Sequence, residues 1–133
     1  MIALDTNILA RIATNDTPAQ AKRAARLIDT SGALFVPITV SLELEWVLRG
    51  PYKMPRPAIT KSFEVFLSVR NLSFERSGDI HLALQHYQAG FDFADALHHA
   101  GSAGCDALAT FDKRFEQRAV KALLQPPVIA PAT

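Results

Sequence analysis

A chain of 133 residues with 49% hydrophobic and 20% charged content is long enough to bury a real core and is expected to form one domain, 1–133. Its 14 basic and 13 acidic residues leave a net charge of +1, which by itself names no partner, and its single cysteine excludes a disulfide framework or a CxxC metal site. No stretch approaches a membrane span and Met1 leads straight into a strand without room for a signal peptide, so a cytoplasmic protein is expected.

In chain order, Ile2 to Leu4 read as a short apolar strand of the kind buried in the middle of a parallel sheet. It ends on Asp5, where ligands of open parallel sheets sit. Thr6 and Asn7 suit a turn or cap, and Ile8, Leu9 and Ile12 begin a helix. Taken alone, Asp5 reads equally well as the cap of that helix. Thr17, Pro18 and Gln20 have the spacing of a capping box, opening a helix to about Asp29 with Ala21, Ala24, Ala25 and Ile28 inward. Lys22, Arg23 and Arg26 lie on its other face. Ser31-Gly32 breaks the chain, and Leu34-Phe35-Val36 form a second strand closed by Pro37. The next helix is expected from about Val40 to Arg49. Glu43 then falls near its first turn, and Glu45, about 200° around the helix, points the other way.

Pro51, Pro55 and Pro57 stiffen a connection to a helix expected from Ala58 to Arg70, lined by Ile59, Phe63, Phe66 and Leu67. Asn71 to Phe74 form a third strand. Ser77 caps a helix to about Ala89, with Ile80, Ala83, Leu84 and Tyr87 inward and His81 and His86 at the surface. After Gly90, Phe91-Asp92-Phe93-Ala94-Asp95 opens a helix of small residues, where Asp92 serves either as cap or beside Asp95. Cys105 reads as a buried hydrophobe. Ala107-Leu108-Ala109 is a fourth strand, followed by Thr110-Phe111-Asp112 and a basic helix from Lys113 to about Leu124. Val128-Ile129 is a fifth, edge strand. The alternation predicts an α/β fold, a three-layer α/β/α sandwich around a mostly parallel five-stranded sheet.

In such a sheet, helices that follow strands start at its carboxyl edge, and helices that feed strands run back from that edge. Asp5, Glu43, Asp95 and Asp112 are therefore expected to converge. Two like charges about 4 Å apart repel by about 4 kcal/mol at an effective dielectric near 20, and helix N-termini offset only about 0.3–1 kcal/mol each. A divalent cation resolves the conflict, and oxygen-only ligands favour Mg²⁺ or Mn²⁺. Such a site suits phosphodiester hydrolysis. With the four acids set aside, the chain's net +1 becomes +5, a surround suited to a nucleic-acid backbone. Asp112 also suits a plain cap, and Asp16, Asp29, Asp79 and Asp106 read as turn or cap residues. His98 and His99 read as surface or supporting groups rather than ligands.

Four stretches carry a resemblance: Ile2-Ala3-Leu4-Asp5-Thr6-Asn7-Ile8-Leu9, Ser41-Leu42-Glu43-Leu44-Glu45-Trp46-Val47-Leu48, Asp92-Phe93-Ala94-Asp95-Ala96-Leu97-His98 and Thr110-Phe111-Asp112-Lys113-Arg114-Phe115. In order and spacing the chain resembles the PIN-domain ribonucleases, specifically the VapC-like toxins of toxin–antitoxin pairs. The resemblance implies a Mg²⁺- or Mn²⁺-dependent endoribonuclease acting on RNA. It implies Asp5, Glu43, Asp95 and Asp112 as catalytic and metal-holding residues, with Thr6, Asn7 and Thr110 in support. It also implies a homodimer and a small antitoxin encoded beside it, with Phe63, Phe66 and Leu67 marking either a partner surface or ordinary core.

Two other classes compete. In an α/β metal-dependent phosphatase Asp5 would be a nucleophile, but such enzymes place a second Asp two residues on, where this chain has Asn7. A catalytically inactive cation-binding interaction module would use the same acidic edge without turnover.

Overall fold

The computed structural model describes residues 1–132. The chain falls into two compact units, Met1–Ser77 and Gly78–Thr133. The first unit holds β1 (Ile2–Ala3), α1 (Thr6–Thr14), α2 (Pro18–Thr30), β2 (Leu34–Val36), α3 (Ile38–Arg49), α4 (Arg56–Leu67) and β3 (Leu72–Phe74). Its strands pair in parallel in the order β1-β2-β3, with Ile2 opposite Leu34 and Leu34 opposite Leu72. Leu34 and Val36 of the middle strand are completely buried, as a strand covered on both faces requires. The central position expected for β1 is not what this sheet shows. In it β1 is the edge strand, Ile2 is 51% exposed, and only Leu4, just beyond the strand, is buried.

Helix α1 packs on α2 and α3, and α4 packs on α3 and β3. Two long-range polar contacts set where elements begin. The Asn71 side-chain amide donates to the carbonyls of Ile28, Ser31 and Gly32, so the end of α2 is tied to the entry of β3. Glu75 accepts from the backbone N–H of Ile38 at 2.8 Å. Pro37 precedes α3 and supplies no side-chain cap, and Glu75 takes that part from 37 residues away. The helix therefore starts at Ile38, two residues before the expected Val40.

One local expectation, the capping box, fails here, and packing decides the place of Phe63, Phe66 and Glu45. Thr17 makes no side-chain cap bond, and Gln20 instead accepts from the Arg11 Nε at 2.7 Å, so the capping box does not form. Phe63 and Phe66 are core residues, 0% and 4% exposed, which removes them as a partner surface. Glu45 is buried and pairs with Arg49 at 2.8 Å, one turn on.

The second unit holds α5 (Ser77–Gln88, whose first residue closes the first unit), α6 (Phe93–Ala100), β4 (Leu108–Ala109), α7 (Lys113–Lys121) and β5 (Val128–Ile129). β4 and β5 pair in parallel, with Leu108 opposite Val128, and α7 packs on β5. Ile80, Ala83, Leu84 and Tyr87 of α5 are buried as their spacing predicts. Tyr87 meets Phe93 edge to face at 5.6 Å, and Phe91 meets Phe115 at 6.4 Å. Helix α6 stops at Ala100, so Gly101, Ala103 and Gly104 lie in the turn that follows it. Cys105 is in that turn too and is exposed, contrary to the buried position expected of it. The five expected strands are all present, as parallel sets of three and two. Among the described residues no helix is long and apolar enough to cross a membrane.

Phe63→Ala should lower stability by about 3–5 kcal/mol, as for other large aromatic truncations in a core. Urea unfolding measures this; a change below about 0.5 kcal/mol, the range typical of surface positions, would return Phe63 to the surface.

Candidate functional site

Three of the aspartates singled out in the sequence stand at helix N-termini and are held by backbone amides. Asp5 is the N-cap of α1 and accepts from Thr6 N at 2.7 Å. Asp92 caps α6, its Oδ2 accepting from Asp95 N at 3.1 Å. Asp112 caps α7, its Oδ1 accepting from Phe115 N at 3.1 Å. The capping readings weighed for these residues are thus correct. In each case the hydrogen bond takes one carboxylate oxygen and fixes the side chain, while the residue stays exposed.

In the first unit, Thr6 links two of the expected acids. Its backbone N–H serves Asp5, and its buried hydroxyl donates to Glu43 Oε1. Asp5, Thr6 and Glu43 are therefore one cluster. Glu43 lies in the second turn of α3 rather than the first, because the helix starts early. It is exposed while Glu45 is buried, so the two glutamates do face apart. Asn7 is exposed and lines a cavity of about 410 Å³ between α1 and α2, together with Ile8, Arg11, Gln20, Arg23 and Leu27. Arg11 is tied there through Tyr52, to whose hydroxyl it donates at 2.7 Å. That hydroxyl donates in turn to Asp16 at 2.7 Å, and this bond is the main reason the Asp16 carboxyl titrates below its usual range.

In the second unit, Asp95 lies in the first turn of α6, as expected, and is half-buried. Burial pushes its carboxyl above the usual range, and the charges of Asp92 and Asp112 push it the same way, against a smaller opposing effect of His98. Asp92 and Asp112 are thus both close enough to act on Asp95. Thr110 accepts from Asp112 N at 3.0 Å and so steadies the start of α7. His98 is exposed, but His99 is 4% exposed and donates from Nε2 to the Pro126 carbonyl at 2.8 Å. His99 is a core residue. His86, expected at the surface, packs against Phe91 at 5.4 Å and against His99 at 6.4 Å.

The acids fall into two sets, Asp5 with Glu43 in the first unit and Asp92, Asp95 and Asp112 in the second. Among the described residues no group of three or more His, Cys, Asp or Glu is already gathered as a metal cage. Sequence reasoning missed the part of Glu75 in placing α3, since no local pattern announces a cap supplied from 37 residues away. The hydroxyl of Thr6 lies on the sequence beside Asp5, but its use by Glu43 needs the packing of α1 on α3.

The chain matches the family model described as PIN domain over residues 2–121. No curated protein and no solved structure matches it.

Without metal, Asp95→Asn should melt above the parent, since it removes the charge that burial and two neighbouring carboxylates disfavour. Glu45→Gln should instead lose about 1–2 kcal/mol, because it weakens a charge-assisted bond to a buried group. Thermal melts with chelator present distinguish the two; a destabilised Asp95→Asn would contradict the crowding.

The His86 imidazole is held below its ordinary value of 6.5, first by burial and then by the charge of His99. A depressed basic pKa contributes stability above the unfolded value that is lost as pH falls through the folded one. Stability should therefore decline on acidification below 6.5 more steeply in the parent than in His86→Gln. Urea midpoints read across that range check this, and parallel curves would refute it.

Proposed function

The chain belongs to the PIN domain family, and from that premise we propose that it is a Mg²⁺- or Mn²⁺-dependent endoribonuclease, the toxin of a toxin–antitoxin pair. PIN domains are generally nucleases. On this reading residues 1–133 are one catalytic domain, its five strands form one sheet between helices, and Asp5, Glu43, Asp95 and Asp112 hold the ion. The homodimer and the small antitoxin encoded beside the chain follow from the resemblance to the VapC-like toxins, and a cytoplasmic location is proposed with them.

The observation that carries the reading is the place of Asp95, half-buried beside Asp92 and Asp112. Burial first, and then the charges of those two neighbours, disfavour the ionised Asp95 carboxylate. Carboxylates placed so are unfavourable for a bare fold and well suited to a hard divalent cation, whose charge reverses the effect. The donor set is all oxygen, which fits Mg²⁺ or Mn²⁺ and not a soft-ligand metal. When bound, such an ion polarises a phosphodiester, lowers the pKa of a coordinated water and stabilises the departing oxygen.

The chain's own residues have separate tasks. Asp5 and Asp112 present their remaining carboxylate oxygens from helix N-termini, held in place by backbone amides. The Thr6 hydroxyl fixes the orientation of Glu43. Thr110 fixes the backbone at Asp112, and Asn7, exposed beside this cluster, is a polar contact for substrate. The cavity beside Asn7 carries Arg11 and Arg23, cations suited to a phosphate backbone.

Purified protein, freed of any bound partner, should cleave single-stranded RNA with Mg²⁺ or Mn²⁺ and stop in excess chelator. Asp5→Asn and Asp95→Asn should each lower the rate by roughly a hundredfold or more, since even outer-shell changes at metal sites cost about 10–100-fold. Gel analysis of the products decides it. Undiminished cleavage in chelator would overturn the metal requirement, and release of phosphate from small esters without RNA cleavage would favour a phosphatase.

A further inference from the structure

Phe111 is 88% exposed, the most exposed large apolar side chain among the described residues. Its position is unusual as well as its exposure. It sits between Thr110 and Asp112, which are joined by a hydrogen bond, and Asp112 is one of the acids assigned to the ion. The ring is thus carried one residue from the acidic cluster on a backbone held by that bond and by the α7 cap.

The residues that follow add charge. Lys113 and Arg114 are the first two residues of α7, both are exposed, and neither has an ion pair among the described residues. Cations at a helix N-terminus oppose the helix dipole, so helix stability does not account for them there. Arg118, further along, is already engaged by the Gly90 carbonyl. An exposed aromatic ring with two free cations beside it and an acidic cluster next to it has the composition of a single-strand binding surface: a π-face for a base and positive charge for the adjoining phosphates.

We propose that Phe111 is a stacking platform for a base of single-stranded RNA next to the scissile phosphate, with Lys113 and Arg114 holding the neighbouring phosphates. The proposal rests on the ribonuclease reading and adds to it the residue that positions the strand. Stacking tolerates any base, so Phe111 governs affinity and single-strandedness rather than sequence. Leucine is apolar but has no π-face, whereas tryptophan stacks at least as well.

The test uses the full chain and a single-stranded RNA oligonucleotide carrying 2-aminopurine, whose fluorescence is quenched when it stacks, in chelator to prevent turnover. The parent should bind and quench the probe. Phe111→Leu should bind on the order of tenfold more weakly and lose the quench, as expected for a lost base stack. Phe111→Trp should keep affinity, and Val120→Ala, another exposed apolar residue of α7, should match the parent. Lys113→Ala/Arg114→Ala should keep the quench at saturation but show a shallower salt dependence of binding. Steady-state cleavage with Mg²⁺ should show Phe111→Leu raising KM more than it lowers kcat. If the parent cleaves RNA and Phe111→Leu binds, quenches and cleaves as the parent does, the stacking proposal fails while the ribonuclease reading stands. The same holds if Phe111→Leu weakens only a protein complex. A parent that neither binds nor cleaves RNA overturns both.

Discussion

Much of this structure depends on one constraint: carboxylates are placed where a helix begins, and free backbone amides hold them there. A helix start leaves N–H groups without partners, and a short acidic side chain before it satisfies one of them. Asp5, Asp92 and Asp112 each do this. The cap gives the fold a reason to tolerate an acid at that place, and it fixes the acid's orientation by binding one of its oxygens. Asp95 and Glu43 differ, because neither is a cap. The position of Asp95 costs ionisation energy, and Glu43 depends on the Thr6 hydroxyl for its orientation.

The consequence is a division of labour within each unit. In the first, α1 begins at Asp5 and packs on α3, which brings Thr6 to Glu43. The start of α3 is itself fixed by Glu75 from beyond β3. In the second, the caps of α6 and α7 bring Asp92 and Asp112 within electrostatic reach of Asp95. The aromatic pairs Tyr87–Phe93 and Phe91–Phe115 pack the elements that carry those caps. The apolar contacts therefore position the acids, and the repulsion among the acids is tolerated because the contacts are made elsewhere.

The alternation of strands and helices was legible in the sequence, because apolar runs, caps and Pro or Gly breaks are local signals. Leu34–Val36 and Val128–Ile129 have the bounds their apolar runs predict. What escaped was long-range. Glu43 lies two residues, about half a turn, further from the helix start than expected, and Glu75 caps that start from far along the chain. Gln20 has the spacing of a capping box but finds Arg11, a competing donor on another helix. Phe63 and Phe66 could have lined a surface or a core, and the packing of α4 on α3 and β3 decided it. Cys105 has apolar chemistry but lies in a turn with Gly104, where chain direction rather than hydrophobicity sets exposure. The candidate acids were legible as residues at strand and helix ends. The hydroxyl that orients Glu43 and the crowding that perturbs Asp95 were not, because both depend on distances between elements.

The proposed function assigns Asp5, Glu43, Asp95 and Asp112 to a single divalent ion. Calorimetric titration of Mn²⁺ into the chain and into Asp5→Asn, Glu43→Gln, Asp95→Asn and Asp112→Asn tests it without reference to activity. One shared site predicts that each substitution alone weakens the same binding event, by roughly tenfold or more given the sensitivity of metal sites to their supporting residues. Parent-like Mn²⁺ binding in Asp5→Asn and Glu43→Gln, with loss confined to Asp95→Asn and Asp112→Asn, would contradict it.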